Sequence, residues 1–207
     1  VGWSNILCLP SLLFFTVGLL GLASCGHSPV QNGRIIDPVD ESEYKATINK
    51  YTRSDRQYSG FYQSYELAGT LITNETSQAI LKKRGTYLQW DSKTLSSERE
   101  KALQTLATQT TFLFSLYTPE RTHNDLNKGT SIWKIYLDAD GTRYEGRVKK
   151  RNEKLVDIIH LFPYHSRWSI AYRVDFDVPT SVVERSSKLR IVFTSSLGAS
   201  TFEFNPK

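Results

Sequence analysis

The stretch from Trp168 to Val178 reads WSIAYRVDFDV. Trp168, Ile170, Tyr172, Val174, Phe176 and Val178 fall on one side of an extended chain, and Ser169, Ala171, Arg173, Asp175 and Asp177 on the other. A helix would scatter these apolar residues around its circumference, so the period of two commits this segment to a half-buried β-strand. Shorter runs repeat the pattern. Phe112, Phe114 and Leu116 share a face, as do Trp133, Ile135 and Leu137, and Leu189, Ile191 and Phe193. Tyr144, Gly146 and Val148 alternate with Arg143, Glu145 and Arg147, and Phe202 and Phe204 alternate near the end. Asp140-Gly141 and the SSLGAS segment at 195–200 supply hairpin turns between such runs.

The half of the domain before these strands reads differently. Asp37-Pro-Val-Asp-Glu-Ser-Glu opens a helix on which Tyr44, Ile48 and Tyr51 recur at helical spacing, and which is expected to end before Gly60. Residues 61–73, FYQSYELAGTLIT, are rich in aromatic and β-branched side chains and form a strand candidate. Asn74-Glu-Thr-Ser caps a second helix carrying Ile80 and Leu81 toward Gly85. A third helix starts at Ser96 or Ser97, with Glu98 and Glu100 in its first turn and an apolar stripe of Leu103, Leu106 and Ala107. The expected fold is α+β: mainly an antiparallel, immunoglobulin-like β-sandwich of about seven strands, with N-terminal and inserted helices. A single sheet with helices on one face is the rival. One domain over 39–207 results, helix-rich at 39–110 with one strand at 61–73, and β-rich at 111–207.

Ahead of this domain lies an uncharged apolar run, Ile6 to Leu22, and no Lys, Arg, Asp or Glu occurs before Arg34. The run is shorter than the roughly 20 residues of a spanning helix and is followed by small residues, as in a secretory signal. Leu22-Ala23-Ser24-Cys25 resembles the lipobox of bacterial lipoproteins. The resemblance implies a signal peptide over 1–24, a diacylglyceryl group on the Cys25 sulfur, cleavage before that residue, and a third chain, of the palmitate kind, on its new amine. One acyl chain holds a protein marginally, at about 0.8 kcal/mol per buried methylene, and two or more hold it durably. In the sorting pattern of such lipoproteins, Gly26 rather than Asp after the cysteine favours the outer membrane, at its periplasmic leaflet. The alternative is an uncleaved transmembrane or buried helix ending at Cys25.

Residues 25–38 form the lipidated N-terminus and tether, with a reach of roughly 20 Å from the membrane; His27 within it reads as solvated. The cysteines, Cys8 and Cys25, offer no disulfide once the first is removed. The net charge of +5 permits contact with anionic lipid or cell-wall polymer, and export makes nucleic acid an unsuitable partner.

Motifs with chemical potential are few. Asp138, Asp140 and Gly141 are similar to the start of a calcium loop, but the twelfth position counted from Asp138 is Lys149, which cannot ligate. His160 and His165 flank Pro163 in HLFPYH, after a short buried helix suggested by Leu155, Ile158, Ile159 and Phe162. A metal would need both rings to converge, plus a third ligand. The polar loop Thr118–Gly129 holds Glu120, Arg121, His123 and Asp125, types that serve acid–base chemistry. Arg147–Lys154 is a basic run able to steer the domain toward anionic headgroups, or simply a solvated strand end. No motif for a phosphate loop, a nucleophile elbow or a zinc protease occurs, and no cofactor or metal is expected.

The mature domain also resembles uncharacterised envelope lipoproteins, and no site residue follows from that beyond lipidation at Cys25. The functional expectation is a lipid-anchored, non-catalytic binding or structural module of the cell envelope, partnered with the membrane and with an envelope protein, by strand addition at a sheet edge for example. The alternatives are an envelope hydrolase using His123 or His160/His165, and a lipid or lipoprotein carrier built around an apolar cavity.

Overall fold

The computed structural model describes residues 39–205. The expected signal peptide, Cys25, His27 and the expected tether lie outside the described residues. In chain order the elements are α1 (Glu41–Lys50), β1 (Thr52–Ser59), β2 (Tyr62–Ile72), α2 (Asn74–Tyr87), α3 (Ser92–Thr108), β3 (Thr110–Tyr117), β4 (Lys134–Ala139), β5 (Thr142–Glu145), β6 (Arg147–Lys150), α4 (Leu155–Leu161), β7 (Ile170–Phe176), α5 (Thr180–Arg185), β8 (Leu189–Ser195) and β9 (Gly198–Phe204). They build two antiparallel sheets, a five-stranded one ordered β1-β2-β3-β7-β6 and a four-stranded one ordered β5-β4-β8-β9.

The sheets pack face to face over a core of aromatic and branched side chains. Phe112, Phe114 and Leu116 from β3 and Tyr172, Val174 and Phe176 from β7 meet Phe193 from β8 and Phe202 and Phe204 from β9, all buried. The opposite face of the five-stranded sheet is covered as well. Ile80 and Tyr87 of α2 and Ile158 and Leu161 of α4 pack with Leu113 and Ala171 from that face. The described domain is thus layered as helices, five-stranded sheet and four-stranded sheet. The fold has two sheets rather than the rival single sheet, but helices cover one face of the larger sheet, and both faces of β7 are buried for that reason.

Among the described residues the sandwich has nine strands where about seven were expected. α1 stops at Lys50, and 52–59, read as the remainder of that helix, is strand β1. Its sequence TRSDRQYS carries no apolar stripe to hold a helix down. It pairs instead with β2 in a hairpin turned at Gly60, whose φ of +61° suits glycine. Residues 143–148 form two strands, because the chain leaves one sheet at Gly146 and enters the other. The Gly146 N–H donates to the Ile135 carbonyl at 2.8 Å. A side chain there would meet Val174 Cγ2 at 2.3 Å, so only glycine lets the crossing lie this close to the core. At the other corner β1 meets β9: Arg53 Nε donates to the Glu203 carbonyl at 2.9 Å, and Ser200 Oγ donates to Asp55 at 2.6 Å.

Other boundaries follow their capping chemistry. Thr73 rather than Asn74 caps α2, in a reciprocal capping box with Thr76. Asp91 caps α3, ahead of Ser96 and Ser97. The buried face of α3 holds Leu106, whereas Leu103 is 49% exposed and Ala107 lies outside. In α4, Ile158 and Leu161 are buried while Leu155 and Ile159 are exposed. Asp140 and Gly141 turn the β4–β5 hairpin with φ of +46° and +89°, the paired positive values of its tight turn.

Candidate functional site

Beneath the helices, the outer face of the five-stranded sheet sets buried polar side chains beside the apolar Leu113 and Ala171. Thr70, Thr111, Ser115 and Asp175 are all buried there. Each is satisfied: Thr111 Oγ1 donates to Asp175 at 2.7 Å, and Arg173 Nε donates to the same carboxylate at 2.7 Å. After α4 the chain turns through Phe162-Pro163-Tyr164-His165, closed by the His165 N–H donating to the Phe162 carbonyl at 2.9 Å. Pro163 suits the second position of such a turn. The turn lays Tyr164 and His165 onto the sheet. The Tyr164 hydroxyl donates to the Leu113 carbonyl at 3.1 Å and accepts from Thr70 at 3.2 Å.

His165 Nδ1 and Ser115 Oγ share a hydrogen bond of 2.5 Å, both residues buried. Burial, seconded by the positive charge of Arg151, holds the imidazole's pKa below its ordinary 6.5. The ring is therefore neutral at pH 7, with one nitrogen left to accept a proton. Serine next to a neutral histidine is the first pair of a nucleophilic site. A full triad also needs a group orienting the second ring nitrogen and donors for an oxyanion. Among the described residues no carboxylate bonds His165.

This depressed pKa ties the pair to stability. The unfolded chain takes up the proton more readily than the folded one as pH falls through 6.5, so stability is present above that value and lost below it. The melting temperature is expected to fall between pH 7 and 5, and to fall less steeply in His165→Gln; thermal scans across that window check it.

Ser115 lies in the wall of an open groove of about 540 Å³, whose lining includes Glu66, Tyr117, Tyr164, Ser166 and Trp168. Trp168, expected within the buried face of β7, lies before that strand and is 68% exposed. The Ser166 and Ser169 hydroxyls bond each other at 2.9 Å beside it. Glu66 at the rim accepts from Arg56 at 2.8 Å. The groove thus combines an exposed indole, two phenols, hydroxyls and a carboxylate. A larger depression, about 710 Å³, lies on the four-stranded sheet. Three of its charged side chains are engaged with one another: Asp138 accepts from Arg143 at 2.7 and 2.8 Å and from Arg190 at 3.3 Å.

The remaining candidates disperse. His160 is exposed and stands edge-on to the Tyr87 ring, 5.0 Å away, while His165 faces β3, so the two histidines serve different surroundings. The loop with Glu120, Arg121, His123 and Asp125 is anchored to the core at a few points, while Glu120 and Arg121 are exposed. Asn124 Nδ2 donates to the Leu116 carbonyl, Leu126 is buried, and the Trp133 indole donates to the His123 carbonyl. Asp125 faces Lys128 at 3.9 Å. No cluster of three or more metal-ligating side chains occurs among the described residues. In the basic run, Arg147 pairs with Asp177 and Arg151 with Glu153. Sequence reasoning missed Ser115, Glu66 and the exposure of Trp168. The outward phase of Ser115 was readable from the alternation of β3, but its meeting with His165 was not. No protein-family model and no curated protein matches the chain.

Proposed function

We propose that this chain is a bacterial lipoprotein of the cell envelope, held at the membrane by acyl chains on Cys25. We further propose that its folded domain is a non-catalytic binding module. The observation that carries the binding role is the groove under Trp168: an exposed indole above hydroxyls and a carboxylate offers one flat apolar contact and several hydrogen bonds. An envelope ligand with an apolar face edged by polar groups suits it, and nucleic acid does not. The expected immunoglobulin-like identity enters here as a manner of use, in which packed sheets hold loops and hairpins rigidly at their ends. Strand addition has little room, since β1 abuts β9 and the short β5 runs directly into β6. A carrier would have to use a surface groove, because ring packing fills the space between the sheets.

Two experiments test this. Cys25→Ser is expected to abolish acyl labelling and release the protein from the membrane fraction; equal membrane association without label in either form refutes the anchor. Ligand recovered from solubilised envelope by the native protein is expected to be lost with Trp168→Ala; unchanged recovery refutes the groove. A hydrolase is the second reading, favoured by the Ser115–His165 hydrogen bond. It requires labelling by a fluorophosphonate that disappears in Ser115→Ala and in His165→Gln.

A further inference from the structure

The β1–β2 hairpin outruns the sheet to which it belongs. β2 is the longest strand among the described residues, with 11 residues. Its pairing with β3 begins only at Glu66, opposite Tyr117, so Tyr62 to Tyr65 are paired on the β1 side alone. The free end is a two-stranded ribbon turned at Gly60. At this tip stand three aromatic side chains: Phe61 at 102% exposure, Tyr62 at 82% and Tyr58 at 57%. Scattered exposed apolar residues need no explanation, but three rings gathered on a projecting turn are an interaction surface.

We infer that the tip inserts into the interfacial layer of an anionic bilayer, giving the domain a second membrane contact. The inference rests on the anchoring of Cys25 proposed above. Only residues 26–38 separate Cys25 from the first described residue, so acyl chains on Cys25 keep the domain near the bilayer surface. A second contact is then intramolecular, and even a weak one is well occupied. The chemistry of the tip fits a bilayer better than a shaped protein pocket. It is convex; it carries a fully apolar ring at the apex; and it flanks that ring with two phenols, which place their apolar bodies inward and their hydroxyls at headgroup level. The whole net charge of +5 lies beyond the apolar leader and favours an anionic surface.

The test uses the acylated protein in vesicles of phosphatidylglycerol and phosphatidylethanolamine whose acyl chains are brominated. Tyr62→Trp places a reporter at the tip, and Thr142→Trp one at the exposed start of β5, each read against the parent protein. A ring seated ~5–10 Å into the headgroup boundary should lose emission at least about twofold more than the β5 reporter. Adding Phe61→Ser should reverse that difference. Equal quenching of the two reporters on acylated protein overturns the insertion and leaves the anchor standing. A tip reporter insensitive to bromine but sensitive to protein dilution also overturns it, in favour of a second copy of the chain. Mass spectrometry showing no acyl mass on Cys25 overturns the anchor, and this inference with it.

Discussion

Phe114→Ala is expected to remove about 3–5 kcal/mol of folding free energy, the loss typical of truncating a large buried aromatic. The position concentrates the packing of the whole sandwich. Phe114 is buried on β3, the central strand of the five-stranded sheet. Its ring stacks on Tyr172 of β7 at 5.4 Å, lies 6.0 Å from Phe112, and meets Phe193 of the opposite sheet edge-on at 5.0 Å. Truncation opens a cavity between the sheets, and surrounding rings held by their own strand registers cannot collapse into it. A small domain has only about 5–15 kcal/mol in total, so the variant should be folded marginally or not at all at 37 °C. Urea unfolding checks this, with a lower midpoint and an unchanged slope. Phe114→Leu keeps most of the volume and should cost less than half as much. A loss below about 1 kcal/mol for the alanine variant would mean that the two sheets are not packed through this ring.

How much of this was legible depends on what each element presents to its neighbours. β3, β7, β8 and β9 announce themselves because one of their faces is continuously apolar. β1 does not, because its alternation is of one polar side chain with another: Arg53, Asp55 and Gln57 on one side, Thr52, Ser54 and Arg56 on the other. Its strand character comes from pairing with β2, which no local pattern encodes. On α3, Leu95, Ala102 and Leu106 are drawn inward, and the neighbouring Leu103 is left outside because the opposing surface admits only one stripe. Trp168 belongs by phase to the buried face of β7, yet the strand begins at Ile170, and residues before it follow the turn at Ser166 and Ser169. The candidate site was the least legible part. Ser115 and His165 stand 50 residues apart, and only the packing of the turn after α4 onto β3 makes them a pair.

Gly146→Ala is expected to destabilise the domain by about 1–3 kcal/mol, through overpacking rather than backbone conformation. The added methyl would lie 2.3 Å from Val174 Cγ2 and 2.9 Å from Phe176 Cε1, both buried on β7. The ring edge of Phe176 can yield by tilting, whereas the branched Val174 has little freedom at χ1. The backbone has little room to shift either, because the Gly146 N–H is held by the Ile135 carbonyl where the chain passes between sheets. Val174→Ala removes the obstructing methyls and by itself leaves a small cavity, at a cost of about 2 kcal/mol. Combined, the new methyl occupies part of the space that the old ones vacated. The double variant should therefore be more stable than the sum of the two losses predicts, by about 0.5–3 kcal/mol, the range seen for residues in direct contact. A double-mutant cycle in urea measures that coupling. Strict additivity would mean that the clash is relieved elsewhere, most directly by β5 and β6 sliding apart, and the crossing at Gly146 would then not be what joins the two sheets at this corner.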